Sequence, residues 1–236
     1  MKIFALDCAA VSASAALTDA EVLLGESFTN VKLTHSQTLL PMAEALLENC
    51  RTALSEVDVF AVTVGPGSFT GVRIGVAALK GMADAAEKPC FGVSALEAAA
   101  YPFRNFDGIV CAVMDARCEQ VYTASFSGSE RLTEDSAMKI TELADVLSEY
   151  NRPVLLTGDG AQKVADTLGA VCSFPIAAAT AQMRYPRASS AAYLAYEKIQ
   201  KGESVVSSKA LQPLYLRLPQ AQRELNNKQK INKIGE

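Results

Sequence analysis

Three aspartates, Asp7, Asp115 and Asp159, stand at or just beyond the ends of short apolar runs, where a carboxylate reaches the crevice outside a sheet. Asp159 lies in the turn Thr157-Gly158-Asp159-Gly160, and a second glycine turn runs Gly65-Pro66-Gly67-Ser68-Phe69-Thr70-Gly71-Val72-Arg73-Ile74-Gly75. The chemistry such a set could do is nucleotide binding and phosphoryl transfer. The spacing does not fit a phosphate loop. A Walker A loop needs four residues between its glycines and then Lys and Ser or Thr, whereas three residues separate Gly67 from Gly71 and Val72-Arg73 follows. A dinucleotide fingerprint needs glycine where Thr70 stands, and the acidic Glu87 falls beyond the following helix instead of ending a strand. A strand-to-helix turn with a structural role remains, and aspartates at strand ends also serve as caps.

Other catalytic constellations fare worse. The chain has 1 histidine, His35, so the His pair of a zinc peptidase cannot be assembled. Gly67-Ser68-Phe69 lacks the second glycine of a nucleophile elbow. The 6 cysteines show no C-x-x-C spacing and lie mostly in apolar segments, which predicts reduced, buried thiols.

The elements that position these residues follow from hydrophobic pattern. Residues 2–6, 14–18 and 21–28 read as three strands, and Thr34 and Gln37 have capping-box spacing ahead of a helix to about Arg51. Residues 58–64 are a charge-free, β-branched run after Asp58, the pattern of a buried parallel strand. The turn of Gly65, Pro66 and Gly67 then hands over to a helix at 72–86, which Ser68 or Thr70 caps. In this helix the only charges, Arg73, Lys80 and Asp84, are spaced by seven and four and fall on one narrow stripe. A helix resting on a single sheet should have a broad polar face. This one is apolar or small almost all round, so it should be covered on two sides, by its own sheet and by a partner subunit.

After a short strand at 90–93 and a helix at 95–101, Pro102-Phe103-Arg104-Asn105-Phe106-Asp107-Gly108 marks a boundary. Strands at 109–114, 120–127 and around 137–140 follow, then a helix at 142–150 capped by Thr141, a strand at 153–156, and helices at 161–168 and 189–201. The strand-helix order thus repeats, with an aspartate closing the first strand of each half. The expected organisation is a lobe at 1–104, a second at 105–216 and a polar tail at 217–236, which carries five basic and two acidic residues. The net charge of −4 argues against a broad nucleic-acid surface. No run of 18 apolar residues suggests a membrane span, and Asp7 interrupts the first apolar run too early for a leader, so a cytoplasmic protein is expected.

The stretch from Gly65 to Gly75 resembles the signature of the bacterial TsaB (YeaZ) family, the Gcp-like proteins of tRNA threonylcarbamoyladenosine formation. Asp7 with Ser14-Ala15-Ala16-Leu17, His35-Ser36 with Leu39-Leu40-Pro41, Ser94-Ala95-Leu96-Glu97-Ala98, Asp115-Ala116-Arg117 with Val121-Tyr122, and Pro213-Leu214-Tyr215-Leu216-Arg217 agree too. The resemblance implies an α/β protein of two related lobes of the actin, Hsp70 and sugar-kinase type, with mixed sheets flanked by helices. It implies a non-catalytic subunit that pairs with catalytic TsaD and with the ATPase TsaE, self-associates when alone, meets tRNA only through the complex and carries no cofactor. It also implies a pairing surface on the helices at 35–50 and 72–86. That places His35, Leu39, Met42 and Leu46, then Phe69, Thr70, Val72, Arg73, Gly75, Val76, Ala78, Leu79 and Met82, at the partner interface, with Gly65, Pro66, Gly67, Ser68 and Gly71 as the signature turn. Two departures stand out: Cys8-Ala9-Ala10 replaces the hydroxyl residues usual after the first aspartate, and Gln120 replaces an acid. The competing reading is a kinase or ATPase of the same fold acting alone, and the missing hydroxyls weaken it.

Overall fold

The computed structural model describes residues 1–31 and 33–216; the expected tail at 217–236 lies outside the described residues. The first unit holds β1 (Lys2–Asp7), β2 (Ala13–Asp19), β3 (Val22–Thr29), α1 (His35–Asn49), β4 (Val59–Gly65), α2 (Phe69–Ala86), β5 (Cys90–Ser94) and α3 (Ala95–Ala100). Its sheet runs β3-β2-β1-β4-β5, with β1, β2 and β3 antiparallel and β4 and β5 parallel to β1. The near-continuous apolar runs of β1 and β4 reflect burial on both faces. Phe4, Leu6, Phe60 and Val62 face α1 and α2, while Ile3, Ala5, Val59 and Ala61 face the opposite way.

The second unit repeats the plan. It holds β6 (Ile109–Asp115), β7 (Gln120–Ser127), β8 (Glu130–Arg131), β9 (Ser136–Lys139), α4 (Ile140–Ser148), β10 (Val154–Thr157), α5 (Ala161–Leu168) and β11 (Ile176–Ala178). The order β11-β10-β6-β7-β8, with β9 also on β7, mirrors the first sheet strand for strand. Ile109, Cys111 and Val113 pack with Leu143 and Leu147 of α4 and Val164 of α5. Val110, Ala112 and Met114 share a core with Leu96 and Ala99 of α3, which joins the two halves. The duplication legible in the pattern is therefore real, and Asp7 and Asp115 close equivalent strands.

Four expectations need correction. The last helix, α6 (Ala188–Gln200), was assigned with 105–216 to the second lobe but covers the outer face of the first sheet, where Ala188, Ala191, Leu194 and Ala195 pack on Ile3, Ala5 and Val59. An apolar helix face dictates that a sheet must cover it, not which sheet. Thr141 is no cap: α4 begins at Ile140, two residues earlier than expected, with the Glu142 carboxylate accepting from the Lys139 amide at 3.1 Å. Thr34 likewise caps α1 without a side-chain bond. The helix expected at 72–86 starts at Phe69, because the Ser68 hydroxyl accepts the Gly71 amide at 3.2 Å. Among the described residues no helix is long and apolar enough to cross a membrane.

Candidate partner interface

The signature turn is built for backbone contact. Gly65 has φ +114°, and a Cβ there would lie 2.6 Å from the Leu214 carbonyl oxygen. A Cβ on Gly67 would lie 2.2 Å from the Ala9 carbonyl oxygen, and one on Gly71 2.2 Å from that of Cys8. The loop after Asp7 therefore presses directly on the turn. The Ser68 amide, which a phosphate would need, donates instead to the Ala9 carbonyl at 2.7 Å. The Gly71 amide is taken by the Ser68 hydroxyl. Cys8 and Ala9 thus pack against the turn at the start of the helix, where an anion would otherwise meet free amides. His35 belongs to the same clasp, its Nε2 3.1 Å from the Ala10 carbonyl oxygen, and its half-buried ring lies against Gly71.

The aspartates are likewise engaged. Asp7 is fully buried and its Oδ1 accepts the Thr63 hydroxyl at 2.6 Å. Burial pushes its carboxyl up to about 6, against the opposing pull of the Thr63 and Ala9 hydrogen bonds and of His35. Asp159 is pushed up by burial too, and its Oδ1 accepts the Asp115 amide at 3.0 Å. Asp115 is exposed and caps its own loop through the Arg117 amide. Among the described residues no group of three or more histidines, cysteines or acids is arranged to hold a metal ion.

What remains open is α2. Val72, Gly75, Val76, Leu79 and Ala83 face the sheet. The charged stripe is met by residues 208–215. Ser208 hydrogen-bonds the Asp84 carboxylate, Lys80 Nζ donates to the Leu211 carbonyl at 3.1 Å, and Arg73 Nε donates to the Tyr215 hydroxyl at 2.8 Å. With the Leu214 amide on the Val64 carbonyl at 2.7 Å and Val206 bridged to Cys90, residues 206–215 form a strap antiparallel to α2. Opposite the sheet lies an uncharged face of Thr70, Ile74, Ala77, Ala78, Gly81 and Ala85. Among the described residues nothing lies within 4 Å of a Cβ placed on Gly81. On α1, Leu40, 51 % exposed, and Pro41 are also exposed and apolar.

The thirteen residues expected at the interface divide in two. Leu39, Met42, Leu46, Val72, Gly75, Val76 and Leu79 are buried in the chain's own core, and this corrects their assignment to a pairing surface. Thr70 and Arg73 are exposed, while His35, Phe69, Ala78 and Met82 are half-buried. The large apolar residues made the core, and the small ones were left for the surface. Sequence reasoning missed the strap residues Ser208, Leu211 and Tyr215. The signal was the charged stripe itself, three polar groups on an otherwise apolar helix that had to meet something.

Comparison with known proteins bears on this geometry. A family model described as TsaD: tRNA N6-adenosine threonylcarbamoyltransferase matches residues 29–225. The tRNA threonylcarbamoyladenosine biosynthesis protein TsaB of Bacillus subtilis is 33% identical, over 98% of this chain and 100% of that one. The chain belongs to the TsaB family. A solved structure of the TsaB (YeaZ) family, from Pseudomonas aeruginosa, superposes with a TM-score of 0.75 at 27% identity, covering 91% of this chain and 99% of that one. The (R)-2-hydroxyglutaryl-CoA dehydratase component A of Acidaminococcus fermentans shares the fold alone, with a TM-score of 0.52 at 12% identity over 85% of this chain and 99% of that one. The architecture is thus the two-lobed actin, Hsp70 and sugar-kinase type. In this chain the turn after β4 closes on the loop after β1.

Proposed function

We propose that this chain is a non-catalytic, activating subunit of the assembly that forms N6-threonylcarbamoyladenosine in tRNA. It holds catalytic TsaD in a competent state, with TsaE joining the pair, and it works in the cytoplasm with tRNA reached through the complex. The docking face is the exposed side of α2, flanked by Leu40 and Pro41 of α1, and two copies self-associate there when TsaD is absent. The observation that carries this reading is the uncharged stripe from Thr70 to Ala85, with Gly81 facing open space. A glycine in a helix interior costs roughly 0.5–1 kcal/mol relative to alanine, and no contact among the described residues offsets it at Gly81. Close approach of a second backbone would. The non-catalytic part of the reading rests on the turn after β4, where Ser68 and Gly71 amides are spent on the chain itself.

The test is reconstitution of the tRNA reaction with TsaD and TsaE, with and without this chain, alongside co-purification of TsaD with an Ala77→Glu variant. Ala77 is exposed, so the charge leaves the fold intact, whereas any charge at the buried Gly75 would break it. Loss of both co-purification and activity is expected. Undiminished activity without the chain sinks the proposal.

A further inference from the structure

Arg73 is held in an unusual way for an exposed side chain. Its guanidinium carbon lies 3.9 Å from the centroid of the Phe69 ring and 5.5 Å from that of Tyr215, and the two rings are 5.0 Å apart. Its Nε donates to the Tyr215 hydroxyl at 2.8 Å. The side chain is thereby fixed at its base and along one face, while Nη1 and Nη2 have no acceptor among the described residues. Arg104, Arg131, Arg152 and Arg187 each meet a carboxylate of this chain. Arg73 meets none among the described residues, and of the others that meet none, Arg51, Arg117 and Arg184, only Arg184 lies over a ring, 5.6 Å from the Tyr185 centroid, with its Nη1 taken by Gln162.

Freezing a long side chain without an ion pair costs rotamer freedom, and the outer edge of a guanidinium is a two-pronged donor matched to an oxyanion. Thr70 and Ala77, three residues before and four after, are its neighbours on the exposed side of α2. Arg73 therefore stands on the rim of the uncharged face. The geometry points to Arg73 as a preorganised receptor for an aspartate or glutamate side chain of the protein docked on α2. This rests on the docking reading above and adds to it the residue that fixes register and orientation. A nucleic-acid phosphate is the weaker fit. Backbone-tracking surfaces assemble several cations, and the next one along α2, Lys80, has its ammonium on the Leu211 carbonyl.

The experiment titrates the full chain with the cognate TsaD at low and at high salt, for wild type, Arg73→Met, Arg73→Lys, Tyr215→Phe and Ala77→Glu. Loss of one partly desolvated charge pair should weaken binding by about tenfold or more in Arg73→Met. It should also flatten the salt dependence, because screening acts on the pair that is gone. Arg73→Lys keeps the charge without the fork and should lose less affinity while keeping the salt slope. Tyr215→Phe keeps the stack and should fall between wild type and Arg73→Met. If Arg73→Met binds normally while Ala77→Glu does not, the carboxylate receptor is wrong and the docking face stands. If Arg73→Met weakens binding but leaves the salt slope unchanged, Arg73 serves only to seat the strap and the proposal falls. If Ala77→Glu binds normally, the docking face itself is wrong and the proposal falls with it.

Discussion

A methyl group on Gly71 would sit 2.2 Å from the carbonyl oxygen of Cys8, closer than any real side-chain carbon approaches a backbone atom. That single distance explains why the turn after β4 needs glycine at this position. Gly71→Ala must push apart β1 and the start of α2, both in the centre of the first core, and should destabilise the chain by about 2–3 kcal/mol. Gly67→Ala meets the Ala9 carbonyl at the same distance and should behave alike. Chemical denaturation of the isolated chain reads both, and near-neutral effects would mean that the loop after Asp7 yields easily.

Asp7 sets a pH dependence of definite sign. Burial raises its carboxyl from 3.8 to about 6. Between about pH 4 and 6 the unfolded chain has given up a proton that the folded chain keeps, so stability falls as pH rises through this window. Above it the cost is constant, at about 3 kcal/mol. Asp159, raised by burial as well, adds a contribution of the same sign. Asp7→Asn keeps an acceptor for the Thr63 hydroxyl and removes the ionisation. Its denaturation midpoint should lose most of the decline over this window. An unchanged slope would show that Asp7 titrates normally in the folded chain.

How far the sequence could be read depended on what each residue pattern encodes. The continuous apolar runs of β1 and β4 and the turn between β4 and α2 spelled out the first lobe, and the second aspartate-ended strand gave away the duplication. The strands Glu130–Arg131 and Ile176–Ala178 are too short to show a period, and they were missed. In α2 the composition showed that too many sides were apolar, but a helix apolar all round carries no phase. The bulky Val72, Val76 and Leu79 were taken for the partner face and proved to be core, while the exposed face fell to Ala77, Gly81 and Ala85. The charged stripe was read as a narrow strip of polar residues. Its partners Ser208, Leu211 and Tyr215 lie more than 120 residues away in the chain, beyond any local pattern.

The strap makes the third prediction. Leu211 is buried, and its Cδ1 lies over Gly92 beside Val64. Leu211→Ala removes this anchor and should cost about 2–4 kcal/mol. Ser208→Ala removes the hydroxyl from the Asp84 carboxylate and should cost about 1–3 kcal/mol. Both changes loosen a segment that ends beside Arg73, so hydrogen exchange at the Leu214 amide should quicken in each. Unaltered protection there would mean that the strap is held by its backbone pairing alone.

Gly81 separates the stability of the chain from the work of its surface. A Cβ added there meets nothing among the described residues, so Gly81→Ala should stabilise the isolated chain by about 0.5–1 kcal/mol through helix propensity alone. If a partner backbone approaches this face closely, the same methyl group stands in the way, and affinity for TsaD should fall while the melting temperature rises. Gly81→Leu should sharpen the contrast, with a small change in stability and a large loss of pairing. Opposite signs from one substitution cannot come from damage to the fold. Were Gly81→Ala to raise stability and leave pairing untouched, the partner would have to sit elsewhere on the molecule, or stand off from α2 by the width of a side chain.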